Sequence, residues 1–237
     1  RLCKTKAFKS PRDVGDPVMS SKVYSNQDAD ELLLLQIDRN RDSMEVLVST
    51  VKEIAKECFV PFTVGGGISS LKDAEELFSA GADKVLINSN AYSNPNLITQ
   101  ITDVAGSQAV VIGIDVLTKT ENEYELYSES SLKHENVTLS DHINKVISLG
   151  AGEIMIQSIN QDGMMSGYDL NLLKKTCSLS SVPVIAAGGA GSFNHLLDAL
   201  DTGVDAVACG SMFNFGDNNP LRAKAFLKNY NIPLKTI

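Results

Sequence analysis

The 237-residue sequence has no cysteine pair at metal-binding or redox spacing, no apolar run long enough to span a membrane, and no concentrated block of positive charge. Each absence excludes a class of function. Cys3, Cys58, Cys177 and Cys209 stand far apart, so neither a zinc knuckle nor a disulfide framework is signalled, and a reducing cytoplasm is the expected setting. His134, His142 and His195 show no ligand spacing and read as structural or surface residues, so neither a metal nor a cofactor is expected. The N-terminus lacks a charged-then-apolar leader, and a soluble, cytoplasmic protein is expected. Net charge is −8, and the longest basic cluster, Lys4 to Lys9, is short, which argues against a nucleic-acid or anionic membrane partner. With 43% hydrophobic and 21% charged residues, the chain can bury one substantial core, and a single domain over residues 1–237 is the expectation.

What is present is a repeat. Val60-Pro61-Phe62-Thr63-Val64-Gly65-Gly66-Gly67 recurs as Val182-Pro183-Val184-Ile185-Ala186-Ala187-Gly188-Gly189, and the offset from Val60 to Val182 is 122 residues. The same offset carries Glu31 onto Glu153, Ser70 onto Ser192, Gly81 onto Gly203, Asp83 onto Asp205, Val85 onto Val207 and Ser89 onto Ser211. Two copies of one half-domain follow from so constant a spacing.

Within each copy, short apolar runs alternate with amphipathic stretches. The runs Leu32 to Ile37, Pro61 to Val64, Lys84 to Ile87, Ala109 to Ile114, Ile154 to Ile156, Pro183 to Ala187 and Ala206 to Cys209 predict parallel strands covered on both faces. Helices are predicted over Met44 to Glu57, Leu71 to Ala80, Asn94 to Val104, Leu139 to Leu149, Asp169 to Ser178, Phe193 to Asp201 and Pro220 to Tyr230. Ser70 and Ser192 stand at N-cap positions, and Gly81, Gly150 and Gly203 close helices. Strict alternation allows an open sheet or a closed barrel, and the half-repeat favours an α/β protein of the (β/α)8 TIM barrel type. Seven strands are visible; the repeat partner of Ala109 to Ile114 falls before Arg1, so the first strand is expected to be absent from this sequence.

Active sites of such barrels form at the C-terminal strand ends. Gly65-Gly66-Gly67, Asn88-Ser89, Gly188-Gly189-Ala190-Gly191 and Gly210-Ser211 stand there, and backbone N–H groups at glycine turns approach anions closely. Such glycines also make plain tight turns. Two matching corners nevertheless predict two phosphate cradles and a ligand with a phosphate at each end. Asp115 ends the run Val110 to Ile114 and is placed for general acid–base work, with a helix N-cap or salt-bridge role as the alternative. The stretch Ser158 to Asp169 suggests a substrate-covering loop, or a plain connection. Glu31, Lys84 and Glu153 fall at N-terminal strand ends, where charges usually serve stability.

Arg12-Asp13-Val14-Gly15-Asp16-Pro17, Thr63-Val64-Gly65-Gly66-Gly67-Ile68, Gly81-Ala82-Asp83-Lys84-Val85, Ile87-Asn88-Ser89, Asp162-Gly163 with Gly167-Tyr168-Asp169, and Gly188-Gly189-Ala190-Gly191 together resemble the cyclase subunit family of imidazole glycerol phosphate synthase. The resemblance implies a lyase of histidine biosynthesis. Its barrel would receive ammonia from a glutaminase subunit in a heterodimer and use it to cleave and cyclise a bis-phosphorylated ribonucleotide. It also implies that Asp115 is one of two catalytic aspartates, the other lying on the missing strand. Gly67, Asn88, Ser89, Gly189, Gly210 and Ser211 would hold the phosphates, and Asp162 and Gly163 would belong to the substrate loop. Glu31, Lys84 and Glu153 would form an ammonia gate, and Asp83 and Gln108 would lie at the glutaminase interface.

Several positions depart from the family pattern. Gln36 replaces an aspartate, Asp38 a small polar residue, Asn160 a loop aspartate, and Met164-Met165 a threonine-lysine pair. These changes alter the mouth, where substrate choice is made. They keep open an alternative, a paralogous barrel relaying ammonia with an amidotransferase in bacterial surface-glycan biosynthesis.

Overall fold

The computed structural model describes residues 1–37, 43–120, 123–128 and 133–235; Asp38 lies outside them. Chain order begins with an antiparallel hairpin of β1 (Leu2–Lys6) and β2 (Lys9–Gly15), a two-stranded sheet of its own. Helix α1 (Pro17–Asn26) follows, capped by Asp16 with proline at its first turn. Then come β3 (Leu32–Leu35), α2 (Ser43–Glu57), β4 (Phe62–Gly65), α3 (Leu71–Ala80), β5 (Lys84–Ile87), the short α4 (Ser89–Ser93) and α5 (Asn96–Ala105). The second half holds β6 (Val110–Thr120), β7 (Glu123–Ser128), β8 (Lys133–Glu135), α6 (Leu139–Ser148), β9 (Glu153–Ser158), α7 (Leu170–Leu179), β10 (Val184–Ala187), α8 (Phe193–Leu200), β11 (Ala206–Val207), α9 (Ser211–Asn214) and α10 (Pro220–Lys228).

The fold is a TIM barrel. Its parallel strands run in the order β11-β10-β9-β6-β5-β4-β3, and β7 and β8 extend β6 as an antiparallel flap. The outer edges of β3 and β11 have no strand partner among the described residues. The wall nevertheless curls round. Lys224 of α10 reaches Asp28 at 3.0 Å and Asp30 at 2.8 Å, in the connection between α1 and β3, and Tyr24 of α1 packs against Phe213 of α9.

Side chains on a strand alternate between faces, and two separate apolar clusters record that alternation. Val85, Ile87, Val110, Ile112, Ile114, Ile154 and Ile156 join the main core beneath the helices. Leu86, Val111, Met155 and Ala187, with Leu35, Ile185 and Ala208, fill the lumen. Parity then carries Glu31, Lys84, Asn88, Gly113, Asp115, Glu153, Gln157 and Gly210 toward the lumen column as well.

The 122-residue repeat is present in three dimensions. Asp83 accepts from the Phe62 N–H at 2.8 Å, and Asp205 accepts from the Val184 N–H at 2.8 Å. Leu32 N–H donates to the Pro61 carbonyl, and Ile154 N–H to the Pro183 carbonyl, both at 2.9 Å. The residue that caps each short rim helix, Asn88 in one half and Gly210 in the other, has nearly the same backbone angles.

Behind the rim, the rings of Tyr92 and His142 stack with centroids 4.0 Å apart and planes at 12°. Burial, reinforced by the charge of Lys145, pushes the His142 imidazole down to about 4, and its Nε2 has no partner among the described residues. The unfolded chain therefore takes up this proton near the ordinary value of 6.5, and the folded chain only near 4. Stability from this group is complete above pH 6.5 and falls as the pH drops toward 4, by roughly 3 kcal/mol in all. Urea unfolding across pH 4 to 7 checks this: the His142→Leu variant is expected to lose that part of the acid dependence, and an unchanged slope would refute the assignment.

Candidate functional site

The C-terminal strand ends gather the chemistry. Asp115 is buried, 6% exposed, at the point where β6 leaves the wall and pairs with β7. Asn88, one residue beyond the end of β5, donates its Nδ2 to the Asp115 carboxylate at 2.7 Å. Sequence reasoning placed Asn88 in a phosphate-holding turn; its side-chain Nδ2 is in addition engaged with Asp115. The Asn88 Oδ1, on the lumen side, is buried with no partner among the described residues, and so is the Ser158 Oγ at the end of β9, which by alternation shares the helix-facing side of Ile154 and Ile156.

Around this carboxylate stand the predicted cradles. Gly65-Gly66-Gly67 follows β4, Ser89 opens α4, Gly188-Gly189 follows β10, and Gly210-Ser211 opens α9. Gly189 shows why the residue must be glycine: its φ is +123°, and a Cβ would lie 2.1 Å from the Gly167 carbonyl oxygen. The loop after β9 is thereby pressed onto the turn after β10, and Tyr168 pins the same loop by donating to the Ala208 carbonyl at 3.0 Å.

The loop after β9 also holds the hairpin. The Asp162 carboxylate accepts from Thr5 Oγ1 at 2.6 Å, from Phe8 N–H at 3.3 Å and from Gln157 Nε2 at 3.2 Å, while Ala7 N–H donates to the Asp162 carbonyl at 2.9 Å. Gly163 lies so close to the hairpin that a Cβ would sit 1.8 Å from the Thr5 carbonyl oxygen. Asn160 accepts from Thr118 N–H at 2.8 Å and donates to the Thr118 carbonyl at 3.3 Å. A carboxylate there cannot make the second bond. Met164 and Met165 are exposed at the rim.

Lys4 was not singled out from the sequence. Its ammonium lies against Gly210, where a Cβ would sit 2.5 Å from Nζ; burial lowers its pKa, partly offset by the charge of Asp162. The signal was available only once a strand was assigned to residues 2–6, which carries Lys4 up to the rim.

At the opposite end of the barrel, Lys84 bridges two carboxylates, Glu31 at 2.9 Å and Glu153 at 2.7 Å. Burial alone would lower the Lys84 ammonium, but the hydrogen bonds it donates to Glu153 and Glu31 and their charges outweigh it, and its pKa is raised. The structure thus brings the three together at the N-terminal ends of β3, β5 and β9. Asp83, on this face, spends its carboxylate on the Phe62 N–H, and Gln108 folds back onto the Ala105 carbonyl at 3.0 Å. Both residues are exposed. Among the described residues no cluster of three or more His, Cys, Asp or Glu could hold a metal, no helix is long and apolar enough to cross a membrane, and all four cysteines are free.

The family model described as "Histidine biosynthesis protein" matches residues 1–219. The chain is 39% identical over 236 residues to the imidazole glycerol phosphate synthase subunit HisF of Petrotoga mobilis, covering 99% of this chain and 94% of that protein. The subunits of the same name from Dictyoglomus turgidum and Dictyoglomus thermophilum are 40% and 42% identical, and each match covers 98% of this chain and 92% of the relative.

The bonds around Asp162 fix an expectation for the hairpin. Asp162→Ala removes the acceptor shared by Thr5 and Phe8, and hydrogen exchange of residues 2–15 is expected to speed up at least tenfold while β5 and β6 keep their protection. Equal hairpin protection in parent and variant would refute the clamp.

Proposed function

The chain belongs to the histidine biosynthesis protein family, and on that premise we propose that it is the cyclase subunit of an imidazole glycerol phosphate synthase. In this reading it is a cytoplasmic lyase, one barrel domain over residues 1–237. It uses ammonia from a glutaminase subunit to cleave and cyclise a bis-phosphorylated ribonucleotide. The observation that carries the proposal is the furnishing of one lumen at both ends: the Lys84, Glu31 and Glu153 cluster at one, Asp115 with Asn88 at the other.

Strand β5 joins them. Lys84 begins it and Asn88 follows it, so the two ends are about 13 Å apart at the usual rise per residue. Leu86, Gly113 and Ala187 lie between, a column apolar enough to pass a neutral ammonia molecule and to discourage water. Ammonia would enter past the ion cluster from a glutaminase docked on the face that carries Asp83 and Gln108. The two phosphates would rest on the turns of Gly67, Asn88 and Ser89 on one side and Gly189, Gly210 and Ser211 on the other. Asp115, kept in place by Asn88, would move protons during attack and ring closure. Asp162 and Gly163 would bring the hairpin down over the bound substrate. Nothing in the relatives or in the geometry favours the surface-glycan alternative.

Three measurements test this. The full-length protein, mixed with its glutaminase and the bis-phosphorylated intermediate, is expected to form imidazole glycerol phosphate with glutamine or with ammonium salt; no product from either nitrogen source rejects the proposal. Asp115→Asn is expected to lower kcat about 10² to 10⁴-fold with both nitrogen sources, and a loss under tenfold would return the residue to a structural role. Lys84→Ala is expected to let glutaminase turnover exceed synthase turnover, where the parent keeps the two equal. Matched rates in the variant would remove the gate assignment.

A further inference from the structure

On the reading of function given above, on which this inference rests, the ligand spans two cradles, and the wall between them meets its middle. The first cradle closes β4 and β5, the second closes β10 and β11, and the strand order sets β6 and β9 side by side midway between the two. Register brings Asp115 of β6 opposite Gln157 of β9, and Gln157 in turn opposite Ala187 of β10. We propose that Gln157 is a specificity-determining residue, whose amide oxygen accepts a hydrogen bond from an N–H or O–H group in the stretch of substrate between its two phosphates.

Alternation fixes the side on which Gln157 stands. Met155, two residues before it, and Ala187, its neighbour on β10, belong to the lumen cluster, so Gln157 enters the lumen at the level of Asp115. The two side chains leave neighbouring strands about 4.8 Å apart. Of the two strands between the cradles, one thus contributes a carboxylate and the other a polar group that cannot titrate. The stem of Gln157 lies against the turn after β10, its Cγ 3.5 Å from where a Cβ on Gly188 would stand.

The amide is not free to face either way. Its Nε2 donates to the Asp162 carboxylate at 3.2 Å, and a carboxylate only accepts, so Nε2 faces Asp162 and Oε1 faces away. Asp162 is itself held by Thr5 and Phe8, so the amide is oriented before a ligand arrives. Gln157 is half-buried, and among the described residues nothing donates to its Oε1. An oriented acceptor with nothing to accept, partly withdrawn from water, favours a ligand that brings a donor.

Asp115 and Gln157 together present two acceptors side by side, a carboxylate and an amide oxygen. A bis-phosphate with N–H or O–H groups at its middle satisfies both. One whose phosphates are joined by bare carbon leaves the Gln157 oxygen covered and unpaired, and a site built on hydrogen bonds rejects an analogue that lacks the donor strongly. The cradles would then measure the length of the ligand, and Gln157 would sense what joins its ends.

The test is calorimetric titration of the full-length protein, without a nitrogen source, with the bis-phosphorylated intermediate and with decanediol bisphosphate, whose chain carries no donor. The parent is expected to bind the intermediate more tightly. Gln157→Met, which keeps the length of the side chain, and Gln157→Ala, which does not, are each expected to weaken the intermediate at least tenfold and to leave the bare bis-phosphate within twofold. An unchanged Tm verifies that a variant is folded, and one folded variant decides. The proposal is overturned by an affinity for the intermediate within twofold of the parent's, by equal weakening of both ligands, or by a parent that binds the two ligands alike. A parent that binds no intermediate at millimolar concentration overturns the reading of function and this contact with it, whereas equal binding by parent and variants overturns the contact alone.

Discussion

A parallel strand in a barrel wall is covered on both sides, so a charged side chain along its length has no water to meet. It can be tolerated only at the ends, where solvent, a ligand or an opposite charge reaches it. The strands of this wall obey that constraint. Lys84 and Glu153 open β5 and β9, and Asp115 stands where β6 leaves the wall for its flap. The intervening residues of β5, β6 and β9 carry no charge. Function is therefore confined to two discs, one at each end of the lumen, and the apolar column between them separates the chemistry of one from the chemistry of the other.

Much of this was legible in the sequence, because burial on both faces writes a continuous apolar run. Lys84 to Ile87 and Leu71 to Ala80 are found where they were predicted, and the other six predicted helices and six strands shift by a few residues at their ends. The repeat was legible for a related reason. Asp83 and Asp205 each tie down the start of an earlier strand, and a residue with such a task cannot drift between the two copies. Asp83, expected at a docking face, thus also has a structural duty, shared by its counterpart in the other half.

The hairpin of residues 2–15, the helix α1 and the β7–β8 flap left no such trace. The hairpin is largely polar and no residue of its two strands is fully buried, so no apolar alternation marks it. Its turn passes through Ala7 and Phe8 with positive φ, and neither residue type announces that conformation. Its position is set by contacts more than 150 residues away, Thr5 and Phe8 to Asp162, which no local pattern contains. The tie from Asn88 to Asp115 was hidden for the same reason. An asparagine after a strand reads only as part of a turn, and the proximity of β6 is what shows that its amide also holds Asp115.

The odd-even rhythm of β5 has an arithmetical corollary. Lys84 and Asn88 are separated by an even count, so both look down the same shaft. Adding or deleting one peptide between them would turn one of the pair out among the helices, whereas two would lengthen or shorten the shaft and keep both aimed inward. The distance between entrance and reaction chamber is thus quantised, and a descendant of this chain can alter it only in steps of two.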